Sequence, residues 1–152
     1  MGEDLADASR TIEQVLDSTL ESVDQAERLT LELARESGFG EEDLDRIGMS
    51  VRECMVNAVV HGNRYNSNKK VRLSLSRTPQ RLTIRIADQG EGFDPVDVPD
   101  PVAGDNLLRQ SGRGVFLMKT FMDEFAVRRL EPGTEVTLVK NLVPNEISNS
   151  SV

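Results

Sequence analysis

The sequence contains few of the residues that build aromatic cores, disulfides or membrane spans. Tryptophan is absent and aromatic residues make up only 4% of the chain, so the core must be mostly aliphatic. The single cysteine, Cys54, cannot form an internal disulfide, which suits a reducing compartment. No apolar run approaches the roughly 20 residues of a membrane span, and the acidic N-terminal residues lack the apolar core of a signal peptide. We therefore expect a cytoplasmic protein that does not bind a membrane.

Positive charge is also scarce. The chain has 18 Lys and Arg against 26 Asp and Glu, which gives a net charge of −8. Because nucleic-acid binding needs a positive face, we expect no direct contact with nucleic acid and favour a basic protein partner instead. A chain of 152 residues is long enough for one buried core. We expect one domain over 1–152, ordered over about 10–141, with flexible tails at 1–9 and 144–152.

Apolar spacing predicts two helices in the first half of the chain. Ser22-Val-Asp-Gln25 resembles a capping box and predicts a helix from there to about Glu36. A second helix is predicted from near Glu41 to Gly62, which accepts the left-handed conformation at a helix end. The preceding segment, Thr11–Leu20, fits a helix or a strand. The apolar stripe of the second helix comprises Ile47, Val51, Cys54, Met55 and Ala58.

Alternating apolar residues predict a hairpin in the middle of the chain. Its strands are Val71–Ser76 and Leu82–Asp88, joined by a turn at 78–80. Asp88 shares the parity of the apolar Leu82 and Ile84, so its carboxylate points toward the buried side of the sheet. A buried carboxylate is costly without hydrogen-bond donors, so we expect it to be bonded.

A long segment without periodicity separates this hairpin from the last elements. Residues 89–112 are rich in Gly, Pro and Asp, which is typical of a functional lid or a disordered loop. A helix is predicted over Gly114–Phe125. It is followed by two strands, Phe125–Leu130 and Glu135–Lys140.

Two polar residues lie one turn apart on the second predicted helix. Glu53 and Asn57 are four positions apart, which places them on one face, about 40° apart around the axis. The Asn57 amide oxygen is a hard ligand that suits Mg²⁺, and Glu53 can orient a hydroxyl as a general base. A pair at this spacing is far more often two ordinary surface residues.

Two glycine motifs complete a set of three. In Asp88-x-Gly90-x-Gly92 the carboxylate can accept a hydrogen bond from an exocyclic amine such as adenine N6, and the glycines allow close approach of the ligand. Gly112-Arg-Gly114 opens a predicted helix, where free N–H groups and the helix dipole favour an anion. Singly, these are an acidic turn and a flexible helix entry. Together with the polar pair they predict a nucleotide site.

With these motifs the sequence resembles the GHKL ATPase superfamily, which includes gyrase, heat-shock chaperone, histidine kinase and mismatch-repair ATPases. The resemblance covers roughly residues 10–140. Within the superfamily, the segments Asn57–Gly62 and Ser111–Met118 are most similar to the stand-alone bacterial anti-sigma-factor serine/threonine kinases. The three superfamily boxes are Glu53–Ala58, Asp88–Gly92 and Gly112–Gly114.

The resemblance implies an α+β fold. This is a two-layer α/β sandwich (the Bergerat ATP-binding fold) with a mixed, mostly antiparallel sheet and helices on one face. It also makes Thr11–Ser18 a first strand. Residues 89–112 then correspond to an ATP lid.

The resemblance also implies roles for individual residues. Glu53 corresponds to the catalytic base, Asn57 to the Mg²⁺ ligand, and Asp88 to the adenine-binding residue, helped by Thr134. His61 is a candidate for a nucleotide contact or for capping of the helix end. Other residues implied near the phosphates and lid are Gly90, Gly92, Gly112 and Gly114, with Arg109 and Arg113 as alternative phosphate contacts.

The implied function is an anti-sigma regulatory factor that uses Mg-ATP to phosphorylate a Ser or Thr of an anti-anti-sigma (STAS-type) antagonist protein. Its partners are then a sigma factor and that antagonist, with a homodimer as a further expectation. An ATP-sensing module without kinase activity, acting on a partner through its lid, has the same motifs and stays open. A detached sensor histidine kinase domain is disfavoured, because no histidine lies outside the nucleotide box.

Overall fold

A computed structural model describes residues 9–90 and 112–142, with the side chains of 112–114 excepted. Five strands form one sheet, and the helices pack against it. The strands are β1 (Arg10–Asp17), β2 (Lys70–Arg77), β3 (Arg81–Ala87), β4 (Glu124–Leu130) and β5 (Gly133–Asn141). The helices are α1 (Leu20–Ser37), α2 (Glu41–Val56) and α3 (Gly112–Phe121), and a short π-helical segment (Asn57–Gly62) continues α2.

The strand order in the sheet is β1-β2-β3-β5-β4. All four neighbouring pairs are antiparallel, so among the described residues the sheet has no parallel pair of the kind that a mixed sheet contains. Helices α1 and α2 contact the central strands from one side. On the other side Arg72 and Arg85 are exposed. The α+β, two-layer expectation is confirmed.

An aliphatic core fills the space between the helices and the sheet. All five residues of the predicted stripe on α2 and its π-helical continuation are buried, which confirms that face. On the sheet, alternate residues of β2 and β3 are buried, as the period of two predicts. The largest fully buried side chains include Leu33, Ile47, Met55, Leu73, Ile84 and Leu138.

The first helix begins before the expected capping box. Its N-cap is Thr19, whose hydroxyl oxygen accepts a hydrogen bond from the Ser22 N–H at 3.3 Å. The capping box at Ser22 is therefore wrong, because Ser22 supplies the capped N–H and is not the cap. The ambiguous segment before it is strand β1, as the resemblance implied. Pairing decides this, since Leu16 lies opposite Val71 of β2.

The second helix ends differently from the prediction. It changes to π-helical geometry at Asn57, and Gly62 does not have a positive φ. The expectation of a left-handed Gly62 is wrong, since the residues after this helix that have a left-handed φ are Arg64 (φ 53°) and Tyr65 (φ 61°). Gly62 serves a close approach instead, because a Cβ at this position would overlap the Asp88 carboxylate.

The last helix is shifted toward the N-terminus relative to the prediction. It spans Gly112–Phe121, so the expected helical end at Phe125 is wrong. Phe125 lies in β4 opposite Leu138, with its side chain toward the core. Helical bonding stops at Met122, whose N–H donates to Met118, and the next N–H donates into the sheet. Most of the predicted lid, residues 91–111, lies outside the described residues.

Candidate functional site

A cavity of about 260 Å³ lies where α2, the π-helical segment and the inner face of the sheet meet. Four residues predicted as nucleotide contacts line it, namely Asn57, His61, Asp88 and Thr134. They come from the end of α2 and its π-helical continuation, the end of β3 and the start of β5, so the fold brings together positions far apart in sequence.

Asp88 is the most constrained residue of the cavity. It follows β3 directly and is only 8% exposed, which confirms its inward orientation. Its Oδ1 accepts hydrogen bonds from the N–H groups of Gly90 (3.0 Å) and Thr134 (3.2 Å). Its own N–H donates to the Thr134 carbonyl at 2.9 Å. These bonds fix the carboxylate, and within residues 9–90 and 112–142 no donor is bonded to Oδ2.

The electrostatics of Asp88 follow from this burial. Desolvation raises the pKa of Asp88 above its ordinary value, while the two backbone N–H groups and the charge of Lys69 act in the opposite direction. Loss of water is thus the largest influence on the carboxyl group. A ligand that donates a hydrogen bond to Oδ2 would compensate for the lost water.

Two glycines allow the chain to close around this carboxylate. Gly62 lies against Oδ2, and Gly90 lies so close to the Gly62 carbonyl that a Cβ would overlap it. A side chain at either position would displace the neighbouring backbone or Asp88 itself. The predicted role of Gly90, close backbone approach, is consistent with this contact.

Asn63 is a structural residue of the site that the sequence analysis missed. It is 1% exposed, and its side-chain amide donates to the Ser18 hydroxyl (2.9 Å) and the Lys70 carbonyl (3.0 Å). Its Oδ1 accepts from the Gln89 N–H at 2.8 Å. One side chain therefore ties together the ends of β1, β2 and β3. An asparagine in a polar loop gives no periodic signal that would have revealed it.

The predicted metal ligand, Asn57, is a further lining residue of the cavity. Asn57 lines the cavity, whereas Glu53, one turn earlier on α2, is partly exposed and is not among the lining residues. No group of three or more His, Cys, Asp or Glu side chains within the described residues could hold a metal by itself. An ion here would therefore need phosphate and water oxygens beside Asn57, which is how Mg²⁺ commonly binds.

Several predicted residues lie at or beyond the limits of the structure. Gly112 opens helix α3, as the glycine box predicted, and Gly114 lies in its first turn. Gly92 and Arg109 lie outside the described residues, and so does the side chain of Arg113.

Cys54 and the neighbouring apolar side chains form the floor and one wall of the cavity. Cys54 is 2% exposed, as expected for a core residue, and burial raises the pKa of its thiol, with further increases from Asp88 and Glu53. The thiol is therefore protonated and unreactive. The apolar lining residues are Ile86, Met118, Phe125, Val127 and Val136, and such a surface suits a flat heterocycle.

The loop after the π-helical segment contributes polar lining residues that the sequence analysis treated only as a loop. These residues are Arg64, Asn66 and Lys69. Asp88 is the only carboxylate among the described lining residues, so the cavity has two cations in a protein of net charge −8. This is the charge balance of a site for an anion.

Comparison with known proteins gives consistent results. A family model described as the histidine kinase-like ATPase domain matches residues 16–140. Serine-protein kinase RsbW of Bacillus licheniformis is 32% identical over 122 residues, which covers 76% of this chain and 76% of that protein. Serine-protein kinase RsbW of Staphylococcus epidermidis is 31% identical over 131 residues, 81% of this chain and 82% of that protein.

A solved structure of RsbU and RsbW domains from Mycobacterium tuberculosis has the same fold. It superposes with a TM-score of 0.64 over 89% of this chain at 17% identity. The present chain spans 33% of that longer chain. Within the described residues, no helix is both long and apolar enough to cross a membrane.

Proposed function

The chain belongs to the histidine kinase-like ATPase domain family, and we propose that it is an anti-sigma factor with ATP-dependent protein serine/threonine kinase activity. The observation that carries the proposal is the convergence of Asn57, Asp88 and Thr134 on one cavity with a prearranged carboxylate. Relatives named as serine-protein kinases, matched over about three quarters of their length, support the type of reaction.

Asp88 binds the adenine in this proposal. Its Oδ2 accepts a hydrogen bond from the exocyclic amine, while Oδ1 stays bonded to the backbone of Gly90 and Thr134. The apolar wall that includes Ile86 and Val136 covers the faces of the ring. Guanine has a carbonyl at the position of the amine, so this arrangement favours ATP.

Asn57 and Glu53 act at the phosphates. Asn57 lines the cavity and would provide one oxygen ligand to Mg²⁺, which neutralises phosphate charge when bound. Glu53 is one helical turn away, where it can accept the proton of a serine or threonine hydroxyl. His61, Gly90, Gly92, Gly112 and Gly114 complete the proposed site, with Arg109 or Arg113 at the terminal phosphate.

The proposed partners follow from the family resemblance and the charge. A sigma factor and a small STAS-type antagonist would bind the chain in turn, in the cytoplasm, and phosphorylation of the antagonist would control the exchange. A net charge of −8 suits a basic DNA-binding partner. A homodimer and the single-domain organisation over 1–152 also belong to the proposal.

A second function is favoured by one observation. Asn57 lines the cavity but Glu53 does not. A chain that binds ATP and responds to it without phosphate transfer needs the first residue and not the second. This reading makes the protein a nucleotide-sensing binding module.

The test uses labelled ATP, the full chain and candidate antagonist domains. We expect transfer of the terminal phosphate to a serine or threonine of one antagonist, and loss of this transfer in Glu53→Ala. ATP affinity should change less than about threefold, because Glu53 does not line the cavity. The matched control is Glu32→Ala, an exposed glutamate of α1.

The two functions have different outcomes in this experiment. ATP binding without transfer to any antagonist would favour the sensing module. Normal transfer by the Glu53→Ala protein would refute the assignment of the base but not the kinase activity.

A further inference from the structure

We propose that Arg64 binds the phosphate groups of the nucleotide, and that the chain keeps an unfavourable backbone conformation at this residue to place it there. The proposal rests on nucleotide binding as part of the proposed function, and it does not require phosphate transfer. None of the three sequence motifs includes this residue. It lies just after the helical box, in a segment that reads as a polar loop.

The backbone at Arg64 has a conformation that its side chain disfavours. Arg64 and Tyr65 have φ values of 53° and 61°, in the left-handed region where a Cβ is crowded. The residues that tolerate this conformation, Gly62 and Asn63, come immediately before, and Asn63 has a φ of −81°. The left-handed conformation therefore falls on a residue with a long side chain, although the residue directly before it, Asn63, tolerates this conformation better.

Hydrogen bonds on both sides maintain this conformation. The Asn63 N–H donates to the Ala58 carbonyl at 2.8 Å, and the Tyr65 N–H donates to the Val59 carbonyl at 3.0 Å. The buried side-chain amide of Asn63 fixes the loop to Ser18 and Lys70. A strained residue that its surroundings hold so firmly is commonly part of a functional site.

The side chain of Arg64 is available to a ligand. It is exposed, lines the cavity, and has no ion pair or hydrogen bond within the described part of the chain. On α2, by contrast, Arg46 is paired with Glu42 and Asp43, and Arg52 is paired with Asp24 and Glu27. Among the described arginines, Arg64 is the one that lines the cavity, and its guanidinium is not engaged by a carboxylate there.

The chemistry of the cavity indicates which part of the ligand Arg64 contacts. Asp88 and the apolar wall suit a neutral heterocycle with an amine. A guanidinium suits oxygen anions, because its planar N–H groups match two phosphate oxygens. Lys69 lies near Asp88 and acts on its charge, so Arg64 is the described lining cation that remains for the phosphates.

The test separates charge from backbone strain. Arg64→Gln removes the charge, and Arg85→Gln is its matched control, because Arg85 is an exposed arginine on the outer face of β3 without an ion pair among the described residues. Arg64→Gly removes the charge and relieves the left-handed strain. Calorimetry with ATP, ADP and adenosine measures binding, and thermal unfolding without nucleotide measures stability.

We expect Arg64→Gln and Arg64→Gly to bind ATP and ADP on the order of tenfold more weakly than the Arg85→Gln protein. Adenosine affinity should be the same in all variants. Without nucleotide, Arg64→Gly should unfold at the same temperature as the wild type or a higher one. A merely structural role for Arg64 would instead lower stability and adenosine affinity together.

Each outcome decides a different proposal. Equal ATP affinity of the Arg64→Gln and Arg85→Gln proteins would overturn the role of Arg64 and leave the kinase proposal intact. Tenfold weaker binding in a protein that transfers no phosphate would support Arg64 and refute only the kinase. A wild-type protein that does not bind ATP would overturn both.

Discussion

The part of the cavity around Asp88, where we propose that the base binds (the base end), is built differently from the helical side around Asn57 and Glu53, where we propose that the phosphates bind (the phosphate end). At the base end, hydrogen bonds join three separate strand ends through Asp88 and Asn63. At the phosphate end, the polar residues come from one helix and its π-helical continuation. The first arrangement is rigid before any ligand binds, whereas the second depends on what the nucleotide brings. Recognition of the base and reaction at the phosphates should therefore be separable by mutation.

The largest expected effect comes from Asp88→Asn. The asparagine oxygen can still accept from the Gly90 and Thr134 N–H groups, but its amide then faces the adenine amine, donor against donor. We expect ATP affinity to fall on the order of 100-fold, about 2.7 kcal/mol.

The same variant tests the electrostatics of the fold. Because burial raises the pKa of Asp88, ionisation of this group in the folded protein lowers the free energy of unfolding. Asp88→Asn removes that ionisation, so its free energy of unfolding at neutral pH should equal or exceed that of the wild type. Strong destabilisation would show instead that the ionised carboxylate stabilises the fold through its hydrogen bonds.

The second effect is on stability and comes from Asn63→Ala. This change leaves the partners in Ser18, Lys70 and Gln89 without a buried hydrogen-bonding group. We expect a loss of about 2 kcal/mol in the free energy of unfolding, measured by denaturant titration. The exposed Asn68→Ala should change it by less than about 0.5 kcal/mol. Equal losses of unfolding free energy in the two variants would contradict the role of Asn63 in joining the three strand ends.

The smallest effect is a shift in pH dependence. As the pH falls through the raised pKa of Asp88, the carboxylate gains a proton and ATP affinity decreases. Lys69 lowers this pKa, so Lys69→Met should raise it and move the acid-side loss of affinity to higher pH. Binding titrations across pH measure the midpoint, and Lys69→Arg, which keeps the charge, should leave it in place.

The same pKa difference has a defined sign for stability. Asp88 destabilises the folded state when ionised, and this contribution disappears as the pH falls through its raised pKa. The difference in pH-dependent stability between the wild type and the Asp88→Asn protein isolates the contribution of Asp88 from that of the other carboxylates.

If the pH midpoint of ATP affinity does not move in Lys69→Met, the charge of Lys69 does not affect the pKa of Asp88.

The sequence predicted the features that follow from local periodicity. The inward direction of Asp88 followed from strand parity, and the buried stripe of α2 followed from helical spacing. These predictions hold because the spacing of residues within one strand or one helix determines which side chains share a face. The α+β fold, in contrast, came from the resemblance of the motifs.

Other features depend on contacts between distant segments, which periodicity does not contain. β1 was ambiguous because its apolar residues fit two periods, and only pairing with β2 settles it. Gly62 looked like a helix end, but its role is set by Asp88. The buried position of Asn63 could not be predicted, because the hydrogen bonds of its side chain reach Ser18 and Lys70 at the ends of β1 and β2.

The mutual hydrogen bonds between Asp88 and Thr134 have a practical consequence for where the chain can be modified. Thr134 follows the β4–β5 turn directly, so an insertion at 131–133 would pull on the Asp88 carboxylate. The turn at 78–80 lies at the far end of the β2–β3 hairpin, about seven strand residues or roughly 23 Å from Asp88. That turn is therefore the place to attach a fluorescent reporter or an affinity tag, since it can lengthen without moving the cavity.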